Sequence, residues 1–141
     1  MFRKILLAFD DSEASKRAGA VAVELANRFE GELLVVTVIE GLARSAHGTM
    51  NGVDEMVEVK TKQFNLAQQA IVSMADQRNV HLSRQVVPGH AVETVLQIAE
   101  KEKADAIVVG SHGHSSFLRR IMGGTGSQIA YHAQCTVIIV R

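Results

Sequence analysis

A chain of 141 residues, 47% of them hydrophobic, can bury a core of its own, which excludes disorder as a description of the whole. Lys and Arg total 15 and Asp and Glu total 15, so bulk charge does not favour a nucleic-acid backbone, although one phosphorylated small molecule needs only a local site. A single cysteine, Cys135, excludes an intramolecular disulfide and fits a reducing compartment, and with 4% aromatic residues and no Trp the core falls to Val, Ile, Leu and Ala.

Ile5-Leu6-Leu7-Ala8-Phe9 is an unbroken apolar run, the pattern of a strand buried on both faces, and it stops abruptly at Asp10-Asp11-Ser12. It is too short for a signal peptide and no apolar run approaches the roughly 20 residues of a membrane span, so a cytoplasmic protein without membrane partners is expected. Ser12 or Asp11 can cap the helix announced by Ala14, Ala18, Val21, Ala22, Leu25 and Phe29, and Gly31 is expected to stop it. Leu33 to Ile39 is a second buried strand, and Gly41 to Gly52 reads as a polar loop. The spacing predicts a long helix from about Val53 to Arg78, with Met56, Leu66, Ala67, Ala70, Ile71 and Met74 on its inner side.

His81 to Val87 alternates apolar and polar residues, as a half-exposed edge strand does, and Pro88-Gly89 turns the chain. Val92, Val95, Leu96 and Ala99 mark a third helix; the strand 106–109, a glycine-rich loop, a short helix from about Gly124 to His132 and the strand 137–140 complete the chain. Strands alternating with helices predict an α/β fold, a doubly wound five-stranded parallel sheet with four helices in one domain over 1–141.

Ligands of such sheets bind beyond the C-terminal strand ends, where strand order reverses. Two polar segments lie at such ends: Asp10-Asp11-Ser12, and Gly110-Ser111-His112-Gly113 running on to Gly123-Gly124-Thr125-Gly126-Ser127. Glycines 110 and 113 permit a sharp turn and close approach to a ligand, while Gly123, Gly124 and Gly126 open a helix whose bare N–H groups and dipole favour an anion. Thr125 and Ser127 add hydroxyls. No Gly-Lys-Ser/Thr follows, so this is not a Walker loop, and the GxGxxG fingerprint of dinucleotide folds is missing. Arg119 and Arg120 can reach a phosphate or stand solvated on a turn. His112 and His114 lack the partners of a zinc site. Ser12, His112 and Asp10 do not form a nucleophile elbow. Cys135, with no positive cluster beside it, reads as a packed thiol.

These residues resemble the universal stress protein family. Gly110, Gly113 and Gly123 match its Gly-x2-Gly-x9-Gly-Ser/Thr signature; the first strand runs into Phe9-Asp10-Asp11-Ser12; Val108 to Gly113 reads Val-Val-Gly-Ser-His-Gly; and His132-Ala133-Gln134-Cys135 precedes the last strand. The resemblance covers nearly the whole chain. It implies a Rossmann-like fold, a homodimer formed through the last strand, and a stress-response regulatory protein with a protein partner of unstated identity that binds ATP, or ADP or AMP, with or without Mg²⁺. It assigns Asp10 to the adenine, Val38 and neighbouring backbone to the pocket wall, and Gly110, Gly113, Gly123 and their neighbours, Val109, His112 and Gly124 to Ser127 among them, to ribose and phosphates; Asp11, Ser12 and Arg119 are counted with the same site from their place in the sequence. Slow ATP hydrolysis is compatible with it, but no residue stands out as a general base. One position departs from the signature: the Ser/Thr after the third glycine is Gly124. Losing that hydroxyl removes a hydrogen bond worth roughly 1.5–3 kcal/mol, about ten- to hundredfold in affinity, unless Thr125 replaces it. A dimeric interaction module with no nucleotide is therefore the alternative.

Overall fold

The aliphatic runs become the strands of one five-stranded sheet: β1 (Lys4–Ala8), β2 (Glu32–Ile39), β3 (Leu82–Pro88), β4 (Ala106–Gly110) and β5 (Thr136–Val140). The computed structural model describes residues 1–41, 50–111 and 124–141. All pairings are parallel, in the order β3-β2-β1-β4-β5, with Leu6 of β1 opposite both Leu34 of β2 and Ile107 of β4. Parallel neighbours require crossovers, which the helices supply. These are α1 (Glu13–Arg28), α2 (Met50–Ala67), α3 (Gln69–Gln77), α4 (Ala91–Lys101) and α5 (Thr125–His132). Helices α2 and α3 are joined at Gln68, whose N–H still bonds to the Phe64 carbonyl, so they form two lengths of one helical run, and among the described residues four such runs flank the sheet.

Side chains leave a strand alternately to its two faces, so β1 feeds two cores. Ile5 and Leu7 pack with Leu33, Val35, Ala18 and Ile71 beneath α1 and α3. Leu6 packs with Val36, Val95, Ile107 and Ile129 beneath α4 and α5. The unbroken apolar character of β1 and β4 follows from burial on both faces, and β3 shows the half-exposed pattern expected of an edge. Among the described residues no helix is long and apolar enough to cross a membrane.

Three local expectations change. The residue that turns the chain after α1 is Glu30, at φ 52, not Gly31. Gly31 is needed for space, because a Cβ there would stand 2.5 Å from the Phe2 carbonyl oxygen. Of the loop expected at 41–52, residues 42–49 lie outside the described residues, and α2 begins at Met50. The inner side of the long helical run is also rotated: Leu66 is 78% exposed and Ala70 faces solvent, while Gln68 is fully buried with Ile71 and Ala75. Counting back from Ile71 at 100° per residue leaves positions 70 and 66 well off the inward direction and position 68 close to it.

Gln68 donates from Nε2 to the Thr37 hydroxyl at 2.8 Å inside the core, and its Oε1 has no hydrogen-bond partner among the described residues. Thr37→Val would therefore strand the whole buried amide. We expect it to lower stability by about 1–3 kcal/mol, and Thr37→Val combined with Gln68→Leu to recover most of that loss. Urea unfolding of the three variants measures both.

Candidate functional site

The chain runs outward from β1 through β2 to β3, then returns to place β4 on the other side of β1. At that reversal the connections leaving β1 and β4 diverge and open a crevice above the strand ends. Ala8, Val36 and Val109 border it where the strands end. One wall is the turn into α1, with Asp10, Ser12 and Ser15; a second is the exit of β2 against α4, with Val38, Glu40, Ala91 and Val95; the third is Gly110 with Thr125 at the start of α5. The crevice encloses about 570 Å³ free of protein atoms, counting the part open to solvent.

The β1–α1 turn is built by its own polar side chains. Asp10 Oδ1 accepts the Ser12 N–H at 3.0 Å, Asp11 takes the left-handed conformation at φ 65, and the Ser12 hydroxyl oxygen accepts the Ser15 N–H at 3.2 Å as the N-cap of α1. Aspartate tolerates the left-handed region better than most residues because its short carboxylate can bond locally. Asp11 turns outward to Lys16, 3.7 Å away, and the Lys16 ammonium, hydrogen-bonded to Glu13 and attracted by Asp11, titrates above its ordinary range. Asp10 and Ser12 therefore face the crevice from this turn, and Asp11 does not border it.

Gly110 sits on the last residue of β4, fully within the core. A Cβ there would lie 2.7 Å from the Ala14 carbonyl carbon and 2.8 Å from the Ser15 nitrogen. Its φ is not in the left-handed region, so glycine is required here by the first turn of α1 lying against β4 rather than by a sharp turn. Gly124 is the N-cap of α5 in an extended conformation, φ −71 and ψ 169. Gly126 is buried, with space for a Cβ only 3.3 Å from the Gly110 carbonyl oxygen, and Ser127 is exposed on α5. Hence Asp10, Ser12, Val38, Val109, Gly110 and Thr125 meet around one crevice, whereas Gly126 packs α5 onto β4. His112, Gly113, Arg119 and Gly123, with His114 and Arg120, lie outside the described residues.

Sequence reasoning missed Ser15, Glu40, Ala91 and Val95. For Glu40 the signal was present: like Asp10, it is a carboxylate directly beyond an apolar strand. Its Oε1 accepts the Ala91 N–H at 2.8 Å, tying the exit of β2 to the start of α4. Cys135 lies apart from the crevice, in a groove between α4 and α5, and burial pushes its thiol pKa up, which lowers the thiolate fraction at neutral pH. Among the described residues no group of three His, Cys, Asp or Glu is placed to hold a metal.

A model of the Universal stress protein family matches residues 1–141. A universal stress protein from the QAH/OAS sulfhydrylase 3′ region of Thermus aquaticus is 31% identical over 142 residues, covering 100% of this chain and 100% of that one. Among solved structures, a universal stress protein in complex with cAMP shares the fold at TM-score 0.76 and 20% identity, covering 99% of this chain and 97% of the other. The universal stress protein from Archaeoglobus fulgidus in complex with dAMP does so at TM-score 0.68 and 17% identity, covering 100% and 98%.

Proposed function

Because this chain belongs to the universal stress protein family, we propose that it is a stress-response regulatory protein that binds an adenine nucleotide, ATP or its ADP and AMP relatives, in the crevice between β1 and β4. The observation that carries this reading is the pairing of an apolar slot with an anion-favouring end. Val36, Val38, Val109, Ala91 and Val95 offer flat aliphatic surface to a base, and Asp10 offers an acceptor for its amino group. Beside them the first N–H groups of α5, which helix geometry leaves without partners in their own helix, suit a phosphate. Support comes also from relatives of the same fold that were solved with cAMP and with dAMP, both adenine nucleotides. With no metal cluster among the described residues, Mg²⁺ would arrive on the phosphates of the nucleotide.

Calorimetric titration with ATP, ADP and AMP, with and without Mg²⁺, tests the reading; absence of heat and of thermal shift at millimolar nucleotide would sink it. A dimeric interaction module of the same fold without nucleotide is the second reading, and Gly124, where the signature has a hydroxyl, is the observation that favours it. A Cβ at Gly124 would lie 3.4 Å from the Ser111 carbonyl oxygen, an ordinary contact, and its extended backbone suits a serine N-cap. Gly124→Ser is accordingly expected to raise ATP affinity by about tenfold, measured by the same titration. Equal affinity in the two proteins would show that this position does not meet the phosphates.

The same reading includes a cytoplasmic location, a protein partner and a homodimer formed through β5. Among the described residues β5 pairs only with β4, so its other edge is available to a partner strand, and Ile139 on it is 42% exposed with Tyr131 of α5 85% exposed nearby in sequence. Ile139→Asp should convert the dimer to monomer by analytical ultracentrifugation; a wild type that sediments as a monomer rules the interface out.

A further inference from the structure

The groove between α4 and α5 shares no lining residue with the crevice and is a second concave surface of the molecule. It encloses about 810 Å³ free of protein atoms, counting the part open to solvent. Small side chains make much of its floor: Ala99, Ala104, Ala133 and Cys135 leave a hollow beside Leu96 and Ile107 that a larger apolar side chain from outside can fill. Glu93, Leu96 and His132 also border a shallower stretch, which meets the rim of the crevice at Glu40, Ala91 and Thr125. The trough therefore follows α4 along its length, a shape that suits a length of chain better than a small molecule.

Its rim carries a charge pattern. Glu93 and Glu100 are both exposed and stand seven residues apart on α4, two turns and about 10 Å along one face. Gln97 lies between them and donates from Nε2 to Glu93 Oε1 at 3.5 Å. Lys103 follows just past the helix end, and among the described residues neither Glu100 nor Lys103 is engaged in an ion pair. Read away from the crevice, the rim runs acid, acid, base.

We propose that the groove between α4 and α5 is a docking surface for a helical segment of a partner protein, one that lays apolar side chains on the floor between two basic residues spaced seven apart. The spacing follows from the rim. A helix lying along α4 has the same rise, so cations seven residues apart meet Glu93 and Glu100, while side chains three and four residues after the first share their face and enter the hollow. Long basic side chains can lie across apolar surface and still bring their charge to the rim. Lys103 sets the direction of the segment, because it attracts an acid at that end and repels a third base. This goes beyond the nucleotide reading and holds whether or not a nucleotide is bound; the shared border at Ala91 and Thr125 places the docked segment beside whatever the crevice contains.

The probe is an acetylated, amidated, alanine-based helical peptide with Lys at two positions seven apart and Leu three and four residues after the first. Two control peptides carry Glu for the Lys pair or Ser for the Leu pair. Cys135 is the single cysteine of the chain and lies in the groove, so its rate of alkylation by iodoacetamide, followed by mass spectrometry without nucleotide, reports occupancy. The Lys–Leu peptide is expected to slow alkylation at least tenfold at saturation and, by fluorescence anisotropy, to bind about tenfold more tightly than either control. In Glu93→Lys/Glu100→Lys the preference should invert, the Glu peptide becoming the tighter ligand. The three peptides on the wild type decide the matter even if the double variant fails to fold. An unprotected Cys135 at millimolar Lys–Leu peptide, or equal binding of the three peptides, would overturn the proposal. Alkylation that slows with protein concentration alone would overturn it in favour of a second copy of this chain, and equal protection by hexylamine in favour of a small amphiphilic amine.

Discussion

Gly110→Val is expected to lower unfolding free energy by about 3 kcal/mol or more, a large part of the ~5–15 kcal/mol that holds an ordinary domain together. The neighbours that a side chain would strike are main-chain atoms of Ala14 and Ser15, which cannot rotate aside as a flexible side chain can. Relief requires either the first turn of α1 to lift from the sheet or β4 to leave its register, where Gly110 is paired with Val140 and the next residue, Ser111, donates to the Val140 carbonyl at 2.7 Å. Gly110→Ala should lose about 1–3 kcal/mol, and Gly124→Ala, which meets only an ordinary contact but puts alanine at the N-cap of α5, about 1 kcal/mol. Urea-induced unfolding of the three variants gives the ranking. A valine variant with the wild-type midpoint would mean that α1 is not held against β4 as described, and the wall carrying Ser12 and Ser15 would have to be drawn elsewhere.

Asp10→Ala should weaken adenine-nucleotide binding by about ten- to hundredfold, the loss expected when a hydrogen bond to a charged group is removed. The substitution has a second effect that must be separated from the first. Asp10 Oδ1 also accepts the Ser12 N–H, so alanine frees the turn that leads into α1, at roughly 1 kcal/mol of stability. Asp10→Asn keeps an oxygen for that N–H while removing the charge. If the turn alone mattered, asparagine would bind nucleotide like the wild type and alanine would not; if the carboxylate meets the base, both should bind less tightly than wild type, alanine most weakly. Titration of ATP and AMP into both variants, with thermal unfolding alongside, distinguishes these results. Wild-type affinity in both variants would remove the base from this end of the crevice.

Much of this architecture was legible before any coordinates. The runs at β1 and β4 are apolar without interruption because both faces are covered, that at β2 is broken only by Thr37, and β3, at the end of the strand order, is only partly buried. Ser12 announces α1 by a hydroxyl at the position where helix N–H groups lack partners. Asp10 beyond β1 and Gly110 at the end of β4 stand out because strands of this kind deliver their ligands at those ends. Less legible was the long helical run. Its apolar residues are more numerous than the face it buries, so Leu66 and Ala70 read as core until the rotation of the helix is known, and nothing in a polar Gln68 suggests full burial.

Local chemistry thus determined, within the chain alone, which segments are strands and helices, and that polar residues and glycines gather at two strand ends. It did so because periodicity and capping act between residues a few positions apart. Only the tertiary structure decided that Glu40 and the start of α4 help to form the crevice and that Gly110 is required by the backbone of α1. Those facts depend on the order β3-β2-β1-β4-β5, which brings together residues as distant as 40 and 91, or 14 and 110. The physical reason is that strand order is chosen by the packing of all five strands and their helices at once, a collective property that no local window of sequence contains.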